Sequence, residues 1–250
     1  MCRRIDRYGQ QQNQMNNHKS QFYRWLVVVI FALAMAWVES AVVFYLRTHI
    51  NRIVPYQNYP LPVIGGFGPV EFAREFATLV MLLTIGMLAG ETWRKRIGYS
   101  AVAFGVCDIF YYVFLKIMCD WPSSVMDWDI LFLIPLPWWG PVLAPVLIAT
   151  LMIVWGTLAT QSERTSRHIL PSLGAWSLNL IGATLALYVF ITDTLRVSGE
   201  GLDTIRHLLP TYFNWPLFCV ALALMSAPVI RELILRRSRV ETTIEPVRAN

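Results

Sequence analysis

The chain has 250 residues, of which 56% are hydrophobic and only 15% charged. Soluble domains carry about 25% charged residues, so this composition excludes an ordinary soluble globule and points to a membrane. A net charge of +5 in a soluble chain would suggest nucleic acid as a partner. Here the basic residues stand between apolar runs, where they report topology, and no nucleic-acid partner is expected.

Residues 1–23 are polar and rich in Gln and Asn (G-Q-Q-Q-N-Q-M-N-N). They offer no apolar periodicity and read as a disordered cytoplasmic segment. The first apolar run covers 24–46. Basic residues precede it, and Ala34-Met35-Ala36 resembles a leader-cleavage site. The run continues well past that point, so an uncleaved membrane helix is the expectation. A Pro- and Gly-rich loop from Arg47 to Pro69 follows, which cannot be helical throughout. Spans two and three cover 70–91 and 98–118. They are separated by Arg94-Lys95-Arg96.

A short acidic loop carries Asp120, Asp127 and Asp129. From Ile130 to Leu158 lies one apolar run, longer than an upright helix needs. Pro135, Pro137, Pro141 and Pro145 break its first half. The reading is an entry segment at or dipping into the interface, then a fourth span from about 141 to 158. Span five covers 174–195. Span six covers 214–235 with a break at Pro228, and 236–250 form a loose cytoplasmic tail. The expected fold is an all-α, polytopic bundle of about six transmembrane helices over residues 24–235.

Six spans place both termini on one side. Fifteen of the 21 Lys and Arg residues fall on that side, which predicts cytoplasmic termini in a plasma or bacterial inner membrane. The tryptophans agree, since only Trp37 falls mid-span and the others cluster at expected span ends.

With that orientation, the ionisable residues of the spans crowd into the outer half. Glu39 lies two-thirds of the way along span one. Glu71, Arg74 and Glu75 open span two at spacing that allows an ion pair. Asp108 stands near the middle of span three, followed by Tyr112 and Lys116 at i+4 and i+8. A carboxylate at a helix centre costs about 2.5–3.5 kcal/mol on insertion scales, so Glu39 and Asp108 should face the bundle interior. The expected site is an outward-opening polar pocket with Asp108 at its floor. Glu39, Glu75, Arg74, Lys116 and Tyr112 would line it, with the Pro-rich loops as rim or lid. Glu71, Arg74, Asp129 and Asp193 lie close enough to span ends to read as solvated boundary residues. Gly86-x-x-x-Gly90 is a weak helix-packing signal.

The sequence holds no H-E-x-x-H, G-x-S-x-G or P-loop. Its four cysteines form no C-x-x-C pair, and its four histidines lie in tails, loops or span ends. No metal and no cofactor is expected. Asp120, Asp127 and Asp129 have the chemistry to hold Mg²⁺ or Ca²⁺, but helix capping explains them as well.

Three functions compete. The leading one is a small transporter or permeation protein that binds a cation or proton at Asp108 and Glu39. Another is a membrane-embedded enzyme acting on a lipid-linked substrate, with Arg74 and Lys116 holding an anionic head group. The third is an accessory or assembly protein whose charges serve helix packing. The lipid bilayer is the expected partner throughout, and a homo-oligomer is an open possibility.

Overall fold

The structure, a computed structural model, describes residues 2–58, 67–132, 136–161, 173–235 and 237. Seven α-helices are present among them: α1 (Cys2–His49), α2 (Phe67–Ala89), α3 (Trp93–Cys119), α4 (Leu143–Thr160), α5 (Leu173–Val197), a short α6 (Leu202–His207) and α7 (Trp215–Met225). The helix of α7 resumes after one turn residue and runs to Leu235. Six of these segments are long and apolar enough to cross a membrane, and the chain is a multi-pass helical membrane protein. Apolar side chains stand exposed along them, such as Phe72, Phe76, Leu83 and Leu88 on α2 and Leu180 and Ile181 on α5. In water such faces would be a liability, but against lipid tails they are the expected finish.

The N-terminal segment differs from the expectation. Helix α1 begins at Cys2 and not near residue 24. Once a membrane helix is nucleated, adding a residue fixes few further dihedrals per hydrogen bond, so Gln, Met and Arg prolong it readily.

Helix α3 is the axis of one sub-bundle. Helices α1, α2 and α4 pack along it, while α1 and α2 touch each other little. Small residues set the spacing. A Cβ on Gly156 of α4 would lie 2.4 Å from the Gly98 carbonyl oxygen of α3, and one on Gly105 would lie 2.5 Å from that of Ala149. Glycine therefore lets the two backbones meet directly. The Gly86-x-x-x-Gly90 pair serves the same end, facing Ser100 and Arg96 of α3. Around this axis Val28, Ala32, Met35 and Ala36 of α1 meet Leu82 of α2 and Tyr99, Val102, Ala103, Val106 and Cys107 of α3 in a packed core. Helices α5 and α7 form a second pair. Their shared core is Ala186, Val189 and Phe190 with Phe213, Phe218 and Ala221.

The Pro-broken entry segment is a β-hairpin. Strand β1 (Trp128–Phe132) pairs antiparallel with β2 (Trp138–Pro141), with Asp129 opposite Gly140 and a register irregularity between Ile130 and Phe132. Pro135 lies outside the described residues. Below the strands, the Val142 and Leu143 N–H groups donate to the Asp127 and Val125 carbonyls at 3.0 and 2.7 Å. Backbone groups that a proline-rich helix would leave unsatisfied are thereby paired. The hairpin sits at the bundle end that holds His49, Phe67 and Cys119. It is tied to α5 by the Thr194 hydroxyl, which donates to the Pro137 carbonyl at 2.7 Å.

The opposite end carries its own ion pairs. Arg24 of α1 meets Glu91 at 2.5 Å. Arg94 of α3 meets Glu232, at the end of the sixth span, at 2.6 Å, with Glu232 buried and Arg94 partly so. Hydrogen bonding from Arg24 holds the Glu91 carboxyl below its ordinary value.

The glycine contacts lead to a direct expectation. Gly156→Leu, which forces a side chain into the α3 backbone, should cost about 1–3 kcal/mol by overpacking. Thermal unfolding in detergent should show the lowered midpoint, while Gly174→Ala, whose added Cβ meets nothing within 4 Å, should leave it in place.

Candidate functional site

A half-open cavity of about 600 Å³ lies within the hairpin end of the bundle, walled by α1–α4, the hairpin and Phe190 of α5. Its volume falls in the range of small-molecule sites. Most of the wall is apolar, with Leu79, Leu82, Phe104 and Ile148 prominent. The ionisable residues are five acids, Glu39, Glu71, Glu75, Asp108 and Asp129, and three arginines, Arg47, Arg52 and Arg74.

Each arginine is committed to protein groups. The Arg74 guanidinium forks onto Glu71, with Nε to Oε2 at 2.9 Å and Nη2 to Oε1 at 2.5 Å. This bidentate geometry matches planar donor to planar acceptor. Its third nitrogen, Nη1, donates to Glu39 Oε2, joining α2 to α1. The Thr78 hydroxyl donates to the other Glu39 oxygen at 2.6 Å. Arg52 donates to the Pro55 and Gln57 carbonyls at 2.9 and 3.2 Å, holding its own loop closed. Burial lowers its pKa from the ordinary arginine value.

Arg47 and Asp129 are the most deeply placed pair. Their side chains are 9% and 1% exposed, and Nη2 donates to Oδ1 at 2.7 Å. The same oxygen accepts the Ile130 backbone N–H at 2.8 Å. Arg47 also lies 4.3 Å from the centre of the Trp121 ring, a cation–π contact. Burial pushes the Asp129 carboxyl up from its ordinary value, and Arg47, the Ile130 N–H and Tyr112 oppose it. The folded chain thus holds this proton to a higher pH than the unfolded chain. Its contribution to stability therefore falls as pH rises through the folded value. The pair accordingly fixes the hairpin's position on α1 more than it stabilises the fold.

Asp108 differs from all of these. Its side chain lines the cavity, and no hydrogen bond or ion pair reaches it among the described residues. Tyr111 and Tyr112 follow one turn on, their rings 5.0 Å apart edge to face. Arg47 Nη1 and Trp138 Nε1, both in residues of the cavity wall, are buried without an acceptor among the described residues.

Of the residues expected to form the site, Asp108, Glu39, Glu75, Arg74 and Tyr112 share this cavity. Lys116 does not. It pairs with Asp120 at 2.7 Å on the half-exposed side of α3. Eight residues turn a helix 80° beyond two full turns, enough to carry Lys116 off the face that holds Asp108. Asp129 is no boundary residue but the most buried acid of the site. Asp193 does sit at a helix end, 3.3 Å from Arg196. Asp120, Asp127 and Asp129 have divergent tasks. Asp127 accepts from Ser123 and Ser124 at 2.7–3.2 Å, and the other two pair with Lys116 and Arg47. No cluster of three His, Cys, Asp or Glu side chains is disposed to hold a metal among the described residues. The rim expected of residues 55–69 is described only to residue 58 and from 67. There, Tyr56 packs on Trp128 and Trp139.

The sequence reading left Arg47, Asp129 and Tyr111 out of the site and did not single out Thr78 or Trp121 for it. A signal existed for two of them. Arg47 ends an apolar span, and Asp129 is flanked by Trp128 and Ile130 in a stretch with no other polar residue nearby on its C-terminal side.

No protein-family model matches the chain, and no curated protein or solved structure matches it.

The Arg47–Asp129 pair can be tested by a double-mutant cycle. Arg47→Met or Asp129→Leu alone leaves a buried charge unpaired and should cost about 3–5 kcal/mol. The double variant should recover most of that loss in thermal unfolding, because the apolar pair removes both charges together.

Proposed function

We propose that the chain is a small transport or permeation protein whose cavity binds a positively charged solute at Asp108. The carrying observation is the state of the charges. The three arginines of the wall are engaged with protein groups, whereas Asp108 has no hydrogen bond or ion pair among the described residues. A carboxylate at that depth is tolerated at a cost of about 2.5–3.5 kcal/mol, and a bound cation or proton would offset it. Glu39 belongs to the wall, held by Arg74 and Thr78, and shapes the field around the solute.

In this reading the hairpin end faces outward and both termini face the cytoplasm of a plasma or bacterial inner membrane. The concentration of Lys and Arg at the opposite end supports that orientation. Passage to the other face needs a rearrangement, because the α1–α2–α3 core is packed beneath the cavity. The seam between the two sub-bundles is the natural place for it. There Trp155 and Trp176 meet edge to face beside an apolar gap of about 270 Å³.

One observation favours the enzyme alternative. A mostly apolar cavity above a packed base suits a lipid-linked substrate, which enters and leaves on the same side. That reading lacks a pair of side chains set for acid–base work on Asp108.

Asp108→Asn keeps the shape and removes the charge. Reconstituted in vesicles, this variant should lose cation uptake by tenfold or more while remaining monodisperse and inserted. Unchanged uptake would reject the proposal. Loss of folding in this conservative variant would instead assign Asp108 to helix packing.

A further inference from the structure

The cavity is poorly matched to a bare inorganic ion. It has room on the order of twenty waters by liquid volume, and its walls are largely hydrocarbon. Such space is wasted on a proton or an alkali ion, which needs several oxygens close at hand. Among the described residues, Asp108 is the uncommitted carboxylate of the lining, and aromatic residues share that lining with it. Tyr111 and Tyr112 follow Asp108 at i+3 and i+4, which places them beside it on one helix face. Across the cavity stand Phe132 and Trp138, 5.2 Å apart, and Phe190, stacked 6.5 Å from Trp138. Aromatic faces attract alkylammonium groups through the ring quadrupole and shed little solvation in doing so. Leu79, Leu82, Phe104 and Ile148 continue the wall as an apolar surface.

From this arrangement, and resting on the reading of the cavity as a cation site, we infer that the ligand is an organic ammonium ion bearing an apolar chain. The ammonium group sits at Asp108 with the tyrosine rings beside it, and the chain lies along the aliphatic wall of α2, α3 and α4. The negative surplus of the lining, five acids against three arginines, selects against an anionic head group.

The test is equilibrium dialysis of the full chain in lipid nanodiscs, with empty nanodiscs subtracted. The probes are tetramethylammonium, hexyltrimethylammonium and hexyl sulfate. Each two buried methylenes tighten binding by roughly tenfold, so hexyltrimethylammonium, with five more methylenes than tetramethylammonium, should bind about three hundredfold more tightly. Ile148→Trp, which fills the apolar wall, should erase that preference. Asp108→Asn should weaken both cations by tenfold or more.

Equal affinity for the two cations would overturn the amphiphile inference and leave the cation site standing. No saturable cation binding, or hexyl sulfate binding as tightly as its cationic counterpart, would overturn both. Should Asp108→Asn fail to fold, the chain-length preference and its response to Ile148→Trp decide the matter.

Discussion

A charge buried beside a bilayer must meet its partner inside the protein, because no water is there to replace it. The contact between Arg47 and Asp129 is where this constraint acts most severely. Arg47 comes from the end of α1 and Asp129 from a strand 82 residues away. Joining them pins the hairpin across the bundle end, and Trp121 roofs the guanidinium. Once the hairpin is fixed, Trp138 and Phe132 take their places in the cavity wall. Thr194 of α5 then reaches the Pro137 carbonyl. The second sub-bundle is thus attached through the hairpin as well as along its own seam. By itself such a pair adds little net stability, since desolvation consumes most of the Coulomb gain. Its effect is to exclude other placements of the hairpin.

The glycine contacts along α3 do the complementary work at the other end. Backbone meets backbone at Gly98, Gly105 and Gly156, and the α1–α3 core closes over them. The larger cavity lies at the hairpin end, and a smaller apolar gap lies beside Trp155 and Trp176. The charges near the opposite end, Arg24 with Glu91 and Arg94 with Glu232, lock helices at their termini and stand outside both of these cavities.

Much of the helical architecture was legible in the sequence because hydropathy over twenty residues depends on composition and not on partners. The hairpin was not. A strand with one face on water alternates polar and apolar residues, but W-D-I-L-F is partly covered on both faces and shows no alternation. Pro137 and Pro141 read as breaks in a helix, although they flank and end β2. The site was legible in part. Asp108, Glu39 and the Glu71–Arg74–Glu75 group announced themselves through the cost of charge in an apolar run. Lys116 was misplaced by a rotation of 80° accumulated over two turns. Asp129 was misread because closeness to a loop resembles solvent exposure when the returning strand is not foreseen.

The account depends on the cavity being a negative space that solutes reach from the hairpin end. Introducing Ile148→Cys in a chain whose native cysteines are replaced by alanine, with Asp108 kept, probes this directly. The measured quantity is the rate of modification by two membrane-impermeant thiol reagents of equal size and opposite charge, added from each side of sealed vesicles. The account expects reaction from the hairpin side only, with the cationic reagent faster by tenfold or more. Silence from that side, equal reaction from both sides, or a faster anionic reagent would contradict it.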